Sequence, residues 1–231
     1  MDTKRRDEIE YTVRKLQFEI WTGAKLKYAA GLPPLPQLFA PDVAIENTGF
    51  SFEIRDSMPN AFRRRDNETA GMIDNVRQIV SIRSGLKYEV QRFTAAHELG
   101  HLVLHQAHLG TKLHRDRSLS GFQMGVRPPL EQEADLFAAL WLAPSKTVAT
   151  EFEARFGAIP IILNEDTAYW LVGQNGAHDL LASFADSLAF PMAVAQAEKF
   201  GRKRFTSLAK FFGMSPTAMA IRLQELNLVA Y

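Results

Sequence analysis

The chain has 231 residues, a formal net charge of +1 and no cysteine. That length suits one substantial domain with a small appendage, and the missing thiols exclude disulfides, thiolate metal ligands and a cysteine nucleophile. Apolar residues at 46% and charged residues at 23% are ordinary for a soluble globular chain, and the near-neutral charge makes no global demand for nucleic acid.

The opening stretch, MDTKRRDEIE, has charges with no apolar core behind them and does not read as a secretory signal. No run approaches the ~18 apolar residues of a membrane span, so a cytoplasmic protein without membrane association is expected. Residues 4–29 are predicted to form an amphipathic helix, with Ile9, Val13, Leu16 and Ile20 at helical spacing and Gly31-Leu-Pro-Pro ending it. A short helix over 37–47 follows. Residues 49–55 (GFSFEIR) alternate as a strand with Phe50, Phe52 and Ile54 on one face. Arg63-Arg64-Arg65 reads as a solvated basic loop. Residues 70–73 and 76–82 read as two strands joined at Asp74-Asn75, a hairpin. The second strand is expected at a sheet edge, where an extended peptide could add as a further strand.

A helix from Tyr88 to His105 holds the central signal, His97-Glu98-Leu-Gly-His101, the HExxH pattern. Residues four apart share a helix face, so the two imidazoles can reach one Zn²⁺ at about 2.0–2.1 Å. Glu98 stands beside the first of them, where it can act on a water without binding the metal. HExxH arises by chance in about one chain in a hundred of this length, so a third ligand is needed to give it weight. Gly100, inside the motif, costs about 1 kcal/mol of helix propensity and would let another backbone or a substrate come close.

Residues 106–127 read as a long irregular segment, either a functional loop or a surface one. Pro128-Pro129 then starts a helix, LEQEADLFAALWLAP, that ends at Pro144. It offers Glu131, Glu133 and Asp135. Glu131 and Asp135 share a face, and Glu133 points about 200° from Glu131. Whichever glutamate faces the histidines is the candidate third ligand, and Asp135 could accept the hydrogen bond of a ligand imidazole's far nitrogen.

The pair RFTAAHELGHLVLH and EQEADLFAALWLAP resembles the ImmA/IrrE-type zinc metallopeptidases, a gluzincin-like group of bacterial regulatory proteases. The matching positions are His97, Glu98, His101, Glu131, Ala134, Asp135, Phe137, Ala138 and Pro144; Trp141 to Ala143 departs from the family's usual Leu-Leu-Met. The resemblance implies an α+β, mostly helical zincin-like domain with a small antiparallel sheet. It implies one Zn²⁺ per chain on His97, His101 and Glu131, with Glu98 as catalytic base, Glu133 as the fallback ligand and Asp135 behind His97 or His101. It also implies an endopeptidase acting on a protein partner, a helix-turn-helix repressor, in stress or mobile-element regulation. The alternative is a regulator on the same fold that binds DNA or the repressor without cutting. His105, Tyr88, His178 and Tyr169 are oxyanion-donor candidates by residue type.

The resulting domain expectation is a metallopeptidase core over 1–145, a family-atypical insertion over 146–200 and a helix-turn-helix-like segment over 201–231. In the insertion, 159–163 and 168–172 read as strand-like or buried and 179–190 as a helix. In the last segment, Gly213-Met214-Ser215 is the turn, with Ser215 as N-cap and Pro216 as first helical residue. Residues 199–231 hold six basic residues against Glu225 alone. Arg202, Lys203 and Arg204 are the candidates for a weak DNA contact, with a packing role as the alternative.

Overall fold

The computed structural model describes residues 1–28, 31–58, 69–106, 114–117, 128–183 and 187–231. The basic run Arg63 to Arg65 lies outside them, as does most of the segment between 107 and 127. The architecture is mostly helical α+β with small sheets, and the chain divides into two units, Met1–Leu142 and Ala143–Tyr231.

The first unit begins with α1, Thr3–Lys27, whose N-cap Asp2 accepts from the Arg5 amide at 2.7 Å. Ile9, Val13, Ile20 and Ala24 form its buried stripe, and that stripe packs on the helix that will carry Glu131. The expected helix over 37–47 is two pieces, α2 (Leu35–Leu38) and α3 (Pro41–Asn47). Pro41 explains the break: it lacks the amide a continuing helix would need, and it suits a first turn. Strands β1 (Ser51–Arg55), β2 (Thr69–Asp74) and β3 (Ile79–Arg83) come next. The hairpin turn is longer than expected, with Val76 exposed in it, because Asp74 Oδ1 accepts from the amides of Val76 and Arg77 at 3.1 and 3.0 Å.

Two sheet expectations need correction. The strand order is β1-β3-β2-β4, so β3 is paired on both sides and is not an edge. Also, β1 runs parallel to β3, so the sheet is mixed and not wholly antiparallel. Both follow from β1 joining the free side of β3 instead of its neighbour in sequence. The fourth strand, β4 (His114–Arg117), pairs antiparallel with β2 inside the segment expected to be irregular. Its sequence, HRDR, has no apolar alternation to announce a strand.

Helix α4 (Tyr88–Leu104) lies against β2 and β3 on one side and α5 (Pro129–Leu142) on another. Phe137 and Trp141 stack on α5 with centroids 5.9 Å apart, and the Trp141 indole N–H donates to the Phe39 carbonyl at 3.0 Å. The core is therefore centred on α4 and α5, with α1 and the sheet around them.

The second unit contains α6 (Ser145–Phe156), β5 (Ile161–Ile162), α7 (Glu165–Leu181, broken at Gly173 with φ 76°), α8 (Ala189–Gln196), β6 (Lys199–Phe200), β7 (Lys203–Arg204), α9 (Leu208–Phe212), α10 (Pro216–Glu225) and β8 (Val229–Ala230). Residues 168–172 are helical: Ala168 and Leu171 are buried, while Tyr169, Trp170 and Val172 are exposed. Asn164 starts that helix by accepting from the Thr167 amide at 2.9 Å. The helix expected over 179–190 is instead the end of α7 and the start of α8. Pro191 accounts for this, since it fits a new helix's first turn but not an older helix's interior. Gly213 (φ 61°) turns the chain between α9 and α10, and Ser215 Oγ accepts from the Ala218 amide at 3.2 Å. Leu208, Phe212, Met214 and Met219 are buried there. No helix among the described residues is long and apolar enough to cross a membrane.

Candidate metal centre

Two long helices bring the site together because one glycine lets them touch. A Cβ on Gly100 would stand 3.1 Å from Phe137 Cβ and 3.2 Å from Ala134 Cα. The close neighbour that a small residue admits is thus the backbone of α5. That approach carries Glu131, from the first turn of α5, to the face of α4 that bears His97 and His101.

His97 Nε2 and His101 Nε2 are 3.0 Å apart. Glu131 offers Oε2 at 3.2 Å from the first and Oε1 at 3.5 Å from the second. One ligand atom from each of the three residues lies within 4.8 Å of the others, so the group could hold a metal ion. Ligands at about 2.0–2.1 Å around a tetrahedral ion stand about 3.3–3.4 Å from one another, close to this spacing. Both imidazoles are 1% exposed.

The hydrogen-bond chemistry says what belongs between them. Asp135 Oδ1 is 3.0 Å from His97 Nδ1. A carboxylate only accepts, so His97 carries its proton on Nδ1 and turns the Nε2 lone pair inward. His101 reaches the same state by a longer route. Its Nδ1 is 3.0 Å from His105 Nδ1, and His105 Nε2 is 3.0 Å from Glu133 Oε2. Glu133 accepts from His105 Nε2–H, so the neutral His105 ring accepts at Nδ1 from His101, and His101 also presents a lone pair. Two lone pairs and a carboxylate converging at this distance repel one another unless a cation sits among them. The residues present fit a divalent metal.

Burial acts to raise the Glu131 carboxyl, but hydrogen bonds and charge from His101 and His97 in their protonated forms outweigh it and hold the group well below the usual carboxylate range; the neutral rings described above leave that place to a metal ion. Burial pushes the His101 imidazole below its ordinary value, against the pull of Glu131. A hydrogen bond from Arg5 is the main reason that Glu133 also lies below the usual range, with His105 adding to it. All three directions favour the forms that ligate or anchor at neutral pH, neutral imidazole and ionised carboxylate.

Glu98 is fully buried on the same helix, 0% exposed. Strand β2 passes so close to it that a Cβ on Gly71 would collide with Glu98 Oε1 and with Thr94 Cγ2. Glu133, the fallback ligand, is directed away from the His pair toward His105 and Arg5. Among the oxyanion candidates, His105 caps α4 and is engaged by His101 and Glu133, Tyr88 is exposed at the start of α4, and Tyr169 and His178 belong to α7. Sequence reasoning did not find Arg5 or Gly71. Gly71 had a signal, since an isolated glycine in a strand often marks a close approach. Arg5 had none, standing 128 residues from Glu133.

The family model described as the IrrE N-terminal-like domain, Peptidase M78, matches residues 53–159. That stretch is similar to the IrrE-type metallopeptidase family. No curated protein matches the chain. The IrrE-type stretch contains His97, Glu98, His101, His105, Glu131, Glu133 and Asp135, and leaves α1, α2 and α3 outside it. A metallopeptidase-type domain with a His-His-Glu group is therefore the setting in which the site acts.

Proposed function

We propose that the chain is a cytoplasmic zinc-dependent endopeptidase that cuts a protein partner, a helix-turn-helix transcriptional repressor being the expected substrate. The observation that carries this reading is the convergence of His97 Nε2, His101 Nε2 and Glu131 within one buried cluster beside Glu98. Bound Zn²⁺ would supply Lewis acidity toward a peptide carbonyl and would acidify a water to a pKa near 7. His97, His101 and Glu131 would hold it, and Asp135 and His105 fix the two ring orientations. The Glu98 carboxylate takes the proton of the attacking water on one oxygen and gives it to the leaving nitrogen. Gly71 leaves room for Glu98 to keep its place through both transfers. The repressor assignment rests on the family resemblance, in which such proteases stand beside a helix-turn-helix regulator.

The test is intact-mass analysis of the full chain mixed with its genomic neighbour's product, with Zn²⁺, with a chelator, and with Glu98→Gln. Cleavage that the chelator and Glu98→Gln both abolish supports the reading, and cleavage insensitive to both refutes it.

A second reading, non-cleaving regulation through DNA, has one observation in its favour. Lys199, Arg202, Lys203 and Arg204 are all exposed on the β6–β7 hairpin. Arg222, by contrast, is 1% exposed and donates to the Ala143 carbonyl at 3.1 Å, to Ser145 Oγ at 2.9 Å and to Glu225. Any DNA contact would therefore be a phosphate contact of the hairpin, steeply weakened by salt and lost in an Arg202, Lys203, Arg204 triple alanine variant.

A further inference from the structure

Behind His101 runs a line of side chains that the hydrolytic steps leave unused. His101 Nδ1 faces His105 Nδ1 at 3.0 Å, His105 Nε2 faces Glu133 Oε2 at 3.0 Å, and Arg5 donates to that same oxygen at 2.5 Å. His105 is 2% exposed and the Glu133 side chain 14%. A metal-binding histidine usually gives its second N–H to an oxygen acceptor. His101 gives it to another imidazole, which can accept only in one of its two neutral forms. Were His105 to carry its proton on Nδ1, two N–H groups would point at each other across 3.0 Å. Glu133 prevents this by accepting at His105 Nε2, and Arg5 in turn holds the Glu133 carboxylate in place.

We propose that Arg5, Glu133 and His105 form a positioning relay through which helix α1 fixes the tautomer and ring orientation of His101, and so sets how tightly the site holds its metal. The inference rests on the metal reading above. None of the three belongs to the His97, His101 and Glu131 group that could hold the metal. Arg5 lies outside the stretch matched by the IrrE-type family, so the relay ties the peptidase domain to a helix that precedes it. The contact is not what keeps α1 in place. Ile9, Val13, Ile20 and Ala24 are buried along its length, and Gln17 Nε2 donates to the Trp141 carbonyl at 3.3 Å.

The test uses the full chain and measures Zn²⁺ affinity by competition with a chromophoric chelator. The visible absorption of the Co²⁺-substituted protein and the melting temperature of the metal-free protein are read alongside. Glu133→Gln is expected to weaken Zn²⁺ binding about tenfold or more, and Arg5→Met about three- to tenfold. Both should shift the Co²⁺ bands while the metal-free melting temperature stays close to the parent's. Arg5→Lys, which can still donate to Glu133, should recover most of the affinity. The double variant should be no weaker than Glu133→Gln alone, because the two act in series. Affinities within twofold of the parent, losses that multiply in the double variant, or a loss of affinity matched by a collapse in melting temperature would each overturn the relay. A parent chain that binds neither ion would overturn the metal reading itself, which separates the two failures.

Discussion

Gly71 of β2 stands directly against the carboxylate of Glu98 on α4, with no room between them for a single methyl group. A Cβ at Gly71 would lie 2.7 Å from Thr94 Cγ2 and 3.0 Å from Glu98 Cγ, and nearer still to Glu98 Oε1. Glu98 is fully buried and has little space to retreat. Gly71→Ala should therefore displace the Glu98 carboxylate, the proposed base, while leaving His97, His101 and Glu131 in place. The expected result is a fall in kcat of about 10²-fold, the cost of roughly an ångström of misplacement, with Zn²⁺ stoichiometry unchanged. Turnover and metal content on the same preparation check it.

Gly100 plays the matching part between α4 and α5. Its hydrogen faces Ala134 Cα and the Ala134 carbonyl, positions a Cβ would reach at 3.2 and 3.3 Å. Alanine there gains about 1 kcal/mol of helix propensity against a tight contact, so the net change should be small. Gly100→Val must push the helices apart and is expected to cost about 1–3 kcal/mol. It should also weaken Zn²⁺ binding, since Glu131 travels with α5 and the histidines with α4. Chemical denaturation and metal titration of both variants distinguish the two costs.

Removing the metal should leave the first unit folded but less stable. Zn²⁺ at a hundredfold excess over its Kd contributes about 2.7 kcal/mol to whatever holds it, or about 5–10 °C in melting temperature for a unit of this size. Calorimetry should show that upward shift for the transition of residues 1–142, reversal by a chelator, and little shift in Glu131→Gln. A transition belonging to residues 143–231 should not move.

Glu53 supplies a pH dependence away from the metal. Burial acts to raise its carboxyl, but hydrogen bonds from Ser81 Oγ and Arg55, with the Arg55 charge, hold it below the ordinary 4.5. The unfolded chain therefore binds the proton first. The contribution is present in full above that value and is lost as pH falls through the folded group's lower one. In metal-free protein, Ser81→Ala should lower the melting temperature at pH 6, and the gap to the parent should close as the pH is taken from 5 toward 3.

Much of the metallopeptidase-like stretch is legible in the sequence. The His97 and His101 spacing and the Glu131 and Asp135 spacing are properties of single helices, and a helix period fixes which side chains share a face. The reach of α1 and the capping of α10 by Ser215 were legible for the same reason. What escaped depends on meetings between distant segments. The parallel seat of β1 on β3, the pairing of HRDR with β2, and the Arg5–Glu133 contact leave no trace in local periodicity. The segment 168–172 misled because a short apolar run has no period of its own; only Asn164, capping from four residues upstream, marks it as helix.

Arg222 lies in the last turn of α10, and its guanidinium is enclosed and fastened to Ala143, Ser145 and Glu225. Its contacts are those of a folding residue. A substitution here would register first as heat sensitivity and poor yield. The same substitution at Arg202 or Arg204, both exposed on the β6–β7 hairpin, should leave folding almost untouched.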